Sequence, residues 1–217
     1  MKVNNRLIKN RGFRIYFIHQ ATIFPNLHFV YMREVQLSEI RLCQNNDSKM
    51  VGVIFKRLHP SLISLCYRYL GNTDDAEDVV MVSWMKVIQK IQDFKFEHPL
   101  SFYSYLKRIC IHECLNLLRA KNNFNLISLH NLNETDEPFS DDLHQLDTKI
   151  LLEIIAQLPI GYRTVFNLFA IEGHSHAEIA SMLQITESTS KSQFRKARLN
   201  LMQYINKLNE ERKSNER

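Results

Sequence analysis

A short segment near the end of the chain, KSQFRKAR, carries basic residues at helical spacing. Lysine and arginine side chains three or four positions apart share one helix face, where they can neutralise the phosphates of a DNA backbone. Small hydroxyl side chains that precede them can reach base edges from the start of the same helix. The candidate DNA-contacting residues are Ser188, Thr189, Lys191, Ser192, Arg195, Lys196 and Arg198.

Two other groups of residues contain types used in catalysis or metal binding, but neither has the spacing that such a site needs. Cys110, His112 and Cys114 include metal-ligating residue types, but residues two apart on a helix point away from each other. Packing of the two thiols as small hydrophobic groups is the favoured interpretation. His112-Glu113 could serve a helical nuclease, but no further acid or histidine cluster is spaced to hold its metal. We therefore predict no metal, no cofactor and no enzymatic activity.

Two short helices joined by a tight turn must position the basic segment. Ser175 is placed to cap the helix HAEIASMLQ, and Thr186 to cap ESTSKSQFRKARLNLMQYI. This spacing is typical of a helix-turn-helix. The expected shared core consists of Ile179, Leu183, Ile185, Phe194, Ala197 and Leu201.

The composition favours an all-α protein with a polyanionic partner. With 45% hydrophobic residues, five glycines and five prolines in 217 residues, the chain can build a helical core but lacks the turns of β structure. The formal net charge of +5 fits a polyanion, although its distribution matters more. Residues 1–33 hold basic side chains and no acid, whereas residues 131–148 hold six acids and no lysine or arginine. Such asymmetry indicates separate roles for the segments.

The pattern predicts two small helical domains joined by a flexible acidic linker. The expected organisation is 1–31 as a basic N-terminal extension, 32–121 as the first helical domain, 122–148 as the linker, 149–207 as the second domain and 208–217 as a charged tail.

Within the first domain, capping and breaking residues predict the helix boundaries. The dipeptide His59-Pro60 should bend or restart the second helix of this domain. Gly71-Asn72 should end that helix. Thr73 or Asp74 is the expected N-cap of DAEDVVMVSWMKVIQKIQ. Residues 93–99 form a loop, because Pro99 suits the first turn of the next helix.

The N-terminal segment is neither a convincing signal peptide nor a membrane anchor. Polar residues interrupt it, so no apolar run reaches the roughly 18 residues that span a bilayer. It is either a disordered basic arm or an extension upstream of the biological start, and the ordinary helical sequence from Met32 favours the second. The four cysteines are irregularly spaced, which predicts reduced thiols in a cytoplasmic protein.

Both modules resemble the extracytoplasmic-function (ECF) group of bacterial sigma factors, in the same order. YRYLGNTDDAEDVV and SFYSYLKRICIHECLNLLR are similar to the family's polymerase-binding and promoter-melting helices. IAQLPIGYRTVFNLFAIEGHSHAEIASMLQIT and KSQFRKARLNL are similar to its promoter-upstream helix-turn-helix. The resemblance covers about 35–119 and 149–205. It implies core RNA polymerase, promoter DNA and an anti-sigma factor as partners, with no small-molecule substrate and no membrane insertion.

The resemblance also implies roles for individual residues in the first module. The helix around Ala76 would dock on the polymerase, and the loop from Asp93 would capture a base flipped from the −10 element. The implied polymerase-binding residues are Glu77, Asp78, Val80 and Met81. The implied −10 contacts are Phe94, Lys95, Phe96, Lys107, Arg108, Asn116 and Arg119.

Some positions depart from the family pattern. Met81 stands where the family usually has glutamine, Ser190 where it has valine or a similar residue, and Asn116 where it has aspartate. By this resemblance Ser190 would bury a hydroxyl that must bond to a backbone carbonyl or cost about 1 kcal/mol or more. Glycine is usual near Gln184.

The predicted function is therefore a sigma factor that reads a −35 element and melts a −10 element. The alternative is a stand-alone helix-turn-helix regulator, which would need a dimer interface or a ligand pocket in the first module. The sequence offers neither an obvious zipper nor a pocket motif there.

Overall fold

Helices make up almost all of the part of the chain that can be described. The computed structural model describes residues 35–93, 95, 99–121 and 148–215. Every regular element within these ranges is a helix, which confirms the all-α prediction. No helix in these ranges is both long and apolar enough to cross a membrane.

The described part of the first module contains four α-helices. A 3-10 turn at Ile91–Asp93 follows the third of them. The helices are α1 (Leu37–Gln44), α2 (Ser48–Leu70), α3 (Thr73–Lys90) and α4 (Pro99–Ala120).

Short polar side chains set the starts of α2 and α3. Asp47 accepts a hydrogen bond from the backbone N–H of Met50 at 3.0 Å, and Asn72 accepts one from Asp75 at 2.9 Å. Each satisfies an N–H that has no partner within its helix. The N-cap of α3 is therefore Asn72, and the prediction of Thr73 or Asp74 was wrong.

Helix α2 continues through Pro60, so the predicted restart of the helix at this point was wrong. The hydroxyl groups of Ser61 and Ser64 donate to the backbone carbonyls of Leu58 and Pro60, at 2.7 and 3.0 Å. A buried apolar stripe runs through both halves of the helix. Its packing stabilises one continuous helix against the local cost of a proline.

The long helices α2, α3 and α4 pack face to face around the first core. The Trp84 ring meets Phe102 edge-on, with their centroids 6.2 Å apart. Members of this core from the three helices include Leu58, Leu62, Leu65, Cys66, Val80, Trp84, Val87, Phe102, Leu106, Cys110 and Cys114.

The second module has its own apolar centre. Its α-helices are α5 (Thr148–Gln157), α6 (Ile160–Phe166), α7 (His176–Leu183) and α8 (Glu187–Asn215), and α6 runs on into a wider π-helical turn at Asn167–Ile171. Helix α8 thus extends well into the segment predicted as a charged tail. The core residues include Leu151, Ile154, Ile155, Phe166, Ala197, Leu201 and Ile205.

The two modules pack against each other, which the sequence did not predict. Val165 and Leu168 from α6 and its π-helical extension, with Ile179 and Leu183 from α7, are buried in the same apolar cluster as the first module's helices. Arg163 reaches from α6 to donate to the Leu70 carbonyl at 3.0 Å. The surfaces that face each other therefore include both apolar and polar groups.

Candidate nucleic-acid interface

A capped helix-turn-helix positions the basic segment. Ser175 Oγ accepts a hydrogen bond from the Glu178 N–H at 3.2 Å, and the Glu178 carboxylate accepts one from the Ser175 N–H at 2.7 Å. The turn passes through Gln184, whose φ of +56° lies in the left-handed region. Glycine adopts this conformation more easily, which accounts for the family's preference there.

The residues predicted to form the core of this motif are buried or half-buried, but they divide between the two apolar clusters. Ile179 and Leu183 are buried in the cluster of the first module's helices, with Ile185 packed against them, whereas Ala197 and Leu201 are buried in the second module's own cluster. Phe194 packs against both clusters.

The start of α8 presents small polar side chains to solvent. Thr186 caps the helix, since its Oγ1 accepts the Thr189 N–H at 3.1 Å. Ser188, Lys191 and Ser192 are exposed and Thr189 is half-buried. This end of a recognition helix is the part that enters a major groove in such motifs.

Positive charge continues along α8 beyond its first turn. Lys191, Arg195 and Arg198 follow each other at spacings of four and three, and Lys196 lies beside them. Lys191 Nζ lies 2.8 Å from Glu187 Oε1 in an exposed pair. Such pairs stabilise little, so a DNA phosphate can take the place of the carboxylate.

Ser190 is buried, as predicted, but its partner differs from the one predicted. Its Oγ lies 2.9 Å from His176 Nδ1 on α7, and not against a backbone carbonyl. The His176 ring stacks on Phe169 with centroids 4.2 Å apart. Burial, with the nearby charge of Lys191, lowers the pKa of His176, so the imidazole is neutral at neutral pH.

Helix α4 carries a polar stripe that includes several predicted −10 residues. Arg108, His112, Asn116 and Arg119 recur at spacings of four, four and three, so they share one face. Asn116 Nδ2 lies 3.1 Å from His112 Nδ1, and Arg119 Nη1 donates to Asn116 Oδ1 at 3.0 Å. From the sequence, His112 was weighed only as a metal ligand or nuclease residue, although its spacing from Arg108 and Asn116 could have placed it here.

The loop before α4 is described in part. Lys95 is exposed. Phe94 and Phe96, predicted to stack on DNA bases, lie outside the described residues.

Lys107, another predicted −10 residue, contacts the second module. Its Nζ lies 2.6 Å from Glu172 Oε2, and the other Glu172 oxygen accepts from Arg68 Nη2 at 3.2 Å. Asn167 completes the cluster by accepting from Arg68 Nη1 at 3.0 Å and donating to the Arg68 carbonyl at 2.8 Å. Arg68, Asn167 and Glu172 were not among the site residues predicted from the sequence.

Glu172 is ionised although it is 4% exposed. Burial opposes its ionisation, but the charges of Lys107 and Arg68 outweigh that effect and hold the pKa of Glu172 below its ordinary value.

Arg119 also bridges the modules, since its Nη2 donates to the backbone carbonyl of Met182 in α7 at 2.7 Å. Two of the predicted −10 residues, Lys107 and Arg119, are thus bonded to the second module.

The predicted polymerase-binding residues divide between the two faces of α3. Glu77, Asp78 and Met81 are exposed, while Val80 is fully buried. The Val80 side chain therefore faces the core in this arrangement, and its contact with polymerase stays a prediction. Its spacing of four from Ala76 and seven from Val87 places it on the buried stripe.

Two apolar residues that were not among the predicted polymerase contacts extend the exposed face of α3. Val82 and Met85 lie beside Met81 on this surface, and Met85 is 57% exposed. The exposed face therefore joins acidic residues near the start of α3 to an apolar patch further along it.

Cysteines lie in the core and show no metal-binding arrangement. Cys43, Cys66, Cys110 and Cys114 are buried and unbridged. Burial raises the pKa of Cys43 to about 11, and contact with Cys66, together with burial, raises the pKa of Cys110 well above its ordinary value. Within the described ranges, no group of three or more His, Cys, Asp or Glu residues could hold a metal ion.

Comparison with known families agrees with this geometry module by module. The Sigma-70 region 2 model matches residues 54–124, and the Sigma-70 region 4 model matches residues 148–201. The chain belongs to the sigma-70 family, and it is a sigma factor of the ECF group that directs promoter recognition. The predicted resemblance and the order of the modules are confirmed.

Two curated relatives carry names of the same group. The ECF RNA polymerase sigma-E factor of Haemophilus influenzae is 27% identical over 169 residues, which cover 71% of this chain and 87% of that protein. The ECF RNA polymerase sigma factor SigM of Mycobacterium tuberculosis is 27% identical over 157 residues, covering 72% and 77%. A solved structure, CnrH in complex with the cytosolic domain of CnrY, is 21% identical with a TM-score of 0.41, and the match covers 77% of this chain and 95% of that chain.

Proposed function

We propose that this sigma factor docks on core RNA polymerase with α3, reads a −35 element with the start of α8 and opens a −10 element with α4 and the loop before it. The observation that carries the proposal is that each module presents its own polar, basic surface, one on α4 and one on α8. A stand-alone helix-turn-helix regulator would need only the surface on α8.

Reading of the −35 element rests on the start of α8. Ser188, Thr189 and Ser192 are short enough to let the helix approach the floor of a major groove, and Arg195 is placed to reach a base edge. Lys191, Lys196 and Arg198 are assigned to phosphates, which fix the register of the helix without selecting a sequence.

Opening of the −10 element needs binding energy rather than ATP hydrolysis. Unstacking costs a few kcal/mol per base, and capture of an unpaired base in a protein pocket offsets that cost. Phe94 and Phe96 are the proposed stacking residues, and the stripe on α4 supplies cations and amides for the exposed strand. This role uses no catalytic residue, in keeping with a family of initiation factors that are not enzymes.

Docking on polymerase rests on the exposed face of α3. Glu77 and Asp78 suit a basic partner surface, and Met81 adds apolar area beside them. We place the protein in the cytoplasm, where its polymerase transcribes. An anti-sigma factor that masks α3 is the further partner that the resemblance implies.

The first experiment is gel filtration of the purified protein with bacterial core polymerase, for the full chain and for a chain that begins at Met32. Co-elution, followed by transcription from mapped promoters and permanganate-reactive thymines near −10, would support the proposal. A folded protein that does not co-elute in either form would overturn it and favour the stand-alone regulator.

A further inference from the structure

His112 lies in the middle of the polar stripe on α4, but it was not among the −10 contacts predicted from the sequence. It follows Arg108 by four residues and precedes Asn116 by four, so the three side chains share one face. The His112 side chain is 66% exposed. Its imidazole is therefore free to meet DNA, and what it recognises depends on which ring nitrogen carries the proton.

The amide group of Asn116 has one orientation that satisfies its neighbours. Arg119 Nη1 lies 3.0 Å from Asn116 Oδ1, and a guanidinium group can only donate hydrogen bonds, so the amide oxygen must face Arg119. The amide nitrogen therefore faces the imidazole, with Asn116 Nδ2 3.1 Å from His112 Nδ1. Because an amide nitrogen can only donate, His112 Nδ1 is the acceptor and carries no proton. Both hydrogen bonds lie within α4.

Glu113 offers His112 Nδ1 a competing contact, but a weaker one. Its Oε1 lies 3.4 Å from Nδ1, which is beyond the usual range for an N–H···O bond. Its other oxygen, Oε2, lies 2.7 Å from Lys86 Nζ, so the carboxylate already has a cationic partner. The contact with Asn116 is the shorter of the two. The proton of the neutral ring is thus on Nε2, the nitrogen farther from the helix backbone.

We infer that His112 reads a base of the −10 element by donating a hydrogen bond from Nε2–H to an acceptor on the base edge. The inference rests on the proposed function, which assigns α4 to that element. A base edge fits better than a phosphate, because the neutral ring brings no charge, while Arg108 and Arg119 supply cations on either side of it. Guanine O6, thymine O4 and purine N7 are acceptors, whereas the amino groups of adenine and cytosine are donors that this nitrogen would reject.

Two substitutions distinguish the outer ring nitrogen from the inner one. The amide nitrogen of glutamine lies near the position of Nε2, so His112→Gln keeps a donor for the base. His112→Asn is shorter, so its amide can meet Asn116 but does not reach the base. Holoenzymes assembled from core polymerase and each full-length variant would be titrated with promoters that carry single base-pair changes throughout the −10 element.

We expect His112→Asn to bind the preferred promoter about three- to tenfold more weakly, the loss of one hydrogen bond, and to lose its preference at one −10 position. His112→Gln should keep that preference and weaken binding less than about twofold. Neither change should alter the salt slope. Arg108→Gln, the control for a phosphate contact, should reduce the slope by about one without altering preference. Equal effects of the two His112 substitutions on preference, or a reduced slope with His112→Asn, would overturn the inference.

The position of the proton can be measured without DNA, which guards against a variant that misfolds. In nitrogen NMR spectra at about pH 8, where an ordinary imidazole is neutral, the histidine signals that His112→Gln removes should show a protonated Nε2 and an unprotonated Nδ1. Asn116→Leu removes the amide that faces Nδ1 and should mix the two neutral forms. A proton on Nδ1 in the native protein would overturn the inference. Failure of the proposed function would appear separately, as a native holoenzyme that does not form or that binds regardless of the −10 sequence.

Discussion

Ser190 Oγ lies 2.9 Å from His176 Nδ1, and this hydrogen bond joins the two helices of the helix-turn-helix. Ser190 is fully buried in α8, so its hydroxyl has to find a partner within the protein. The His176 ring is held in turn by stacking on Phe169. A polar pair thus stands where the family usually places an apolar contact, and it fixes the recognition helix against α7.

A double-mutant cycle should detect this bond. Ser190→Ala removes the hydroxyl, and His176→Phe removes the ring nitrogen while it keeps an aromatic ring to stack on Phe169. Each single change should lower the free energy of unfolding by about 1 kcal/mol, because it leaves the other group without its partner. The double variant should lose less than the sum, with a coupling of at least about 0.5 kcal/mol in urea unfolding. Simple additivity would mean that the hydrogen bond contributes nothing measurable.

Arg195 and Lys196 should differ in what they recognise. Replacing Arg195 by Ala should weaken binding of the polymerase holoenzyme by about 1–3 kcal/mol and relax preference at one position of the −35 element. Lys196→Ala should weaken all sequences alike and reduce the salt slope by about one. Titration of a promoter series with single base-pair changes, at several salt concentrations, separates the two effects. Equal, sequence-independent losses would exclude base reading by Arg195.

Two helix starts in the second module could be predicted from the sequence because capping is local chemistry, whereas the N-cap of α3 was predicted one or two residues late. Ser175 and Thr186 need only residues two or three positions ahead, and both cap the expected helices. Pro60 misled the prediction because its local cost is real, but packing along the whole of α2 outweighs it. Local rules thus hold where tertiary contacts do not oppose them.

The contact between the modules could not be predicted in the same way. Arg68 and Glu172 are 104 residues apart, and each is of a type that usually lies in solvent. Nothing in either neighbourhood marks a buried ion pair, which depends on how α2 and α6 meet. The candidate surfaces on α4 and α8 followed from helical spacing, whereas the bonds from Lys107 and Arg119 to the second module required the fold.

Val80 and Met81 are adjacent, yet they should affect different properties. Val80→Ala should lower the free energy of unfolding by about 2 kcal/mol, because Val80 is fully buried. Met81→Ala should change stability by less than about 0.5 kcal/mol, since the side chain is 47% exposed. It should nevertheless weaken binding to core polymerase by about 1 kcal/mol in a fluorescence titration.

Leu42→Ala is the control for Met81→Ala, because Leu42 is a similarly exposed apolar residue on α1. Equal effects of the two changes on polymerase affinity would remove the case for docking through α3.

The contact between the modules should weaken in acid through Glu172. The pKa of Glu172 is held below its ordinary value of 4.5, against the effect of burial, by Lys107 and Arg68. An acid whose pKa is lowered on folding contributes stability that is fully present above its unfolded pKa and is lost as the pH falls through the folded value. The stability advantage of the native protein over Glu172→Gln should therefore be constant from about pH 7 to about pH 5 and shrink below about pH 4.5. Urea unfolding of both proteins across this range measures that difference. An advantage that stays constant down to about pH 3 would mean that the carboxylate charge does not stabilise the contact.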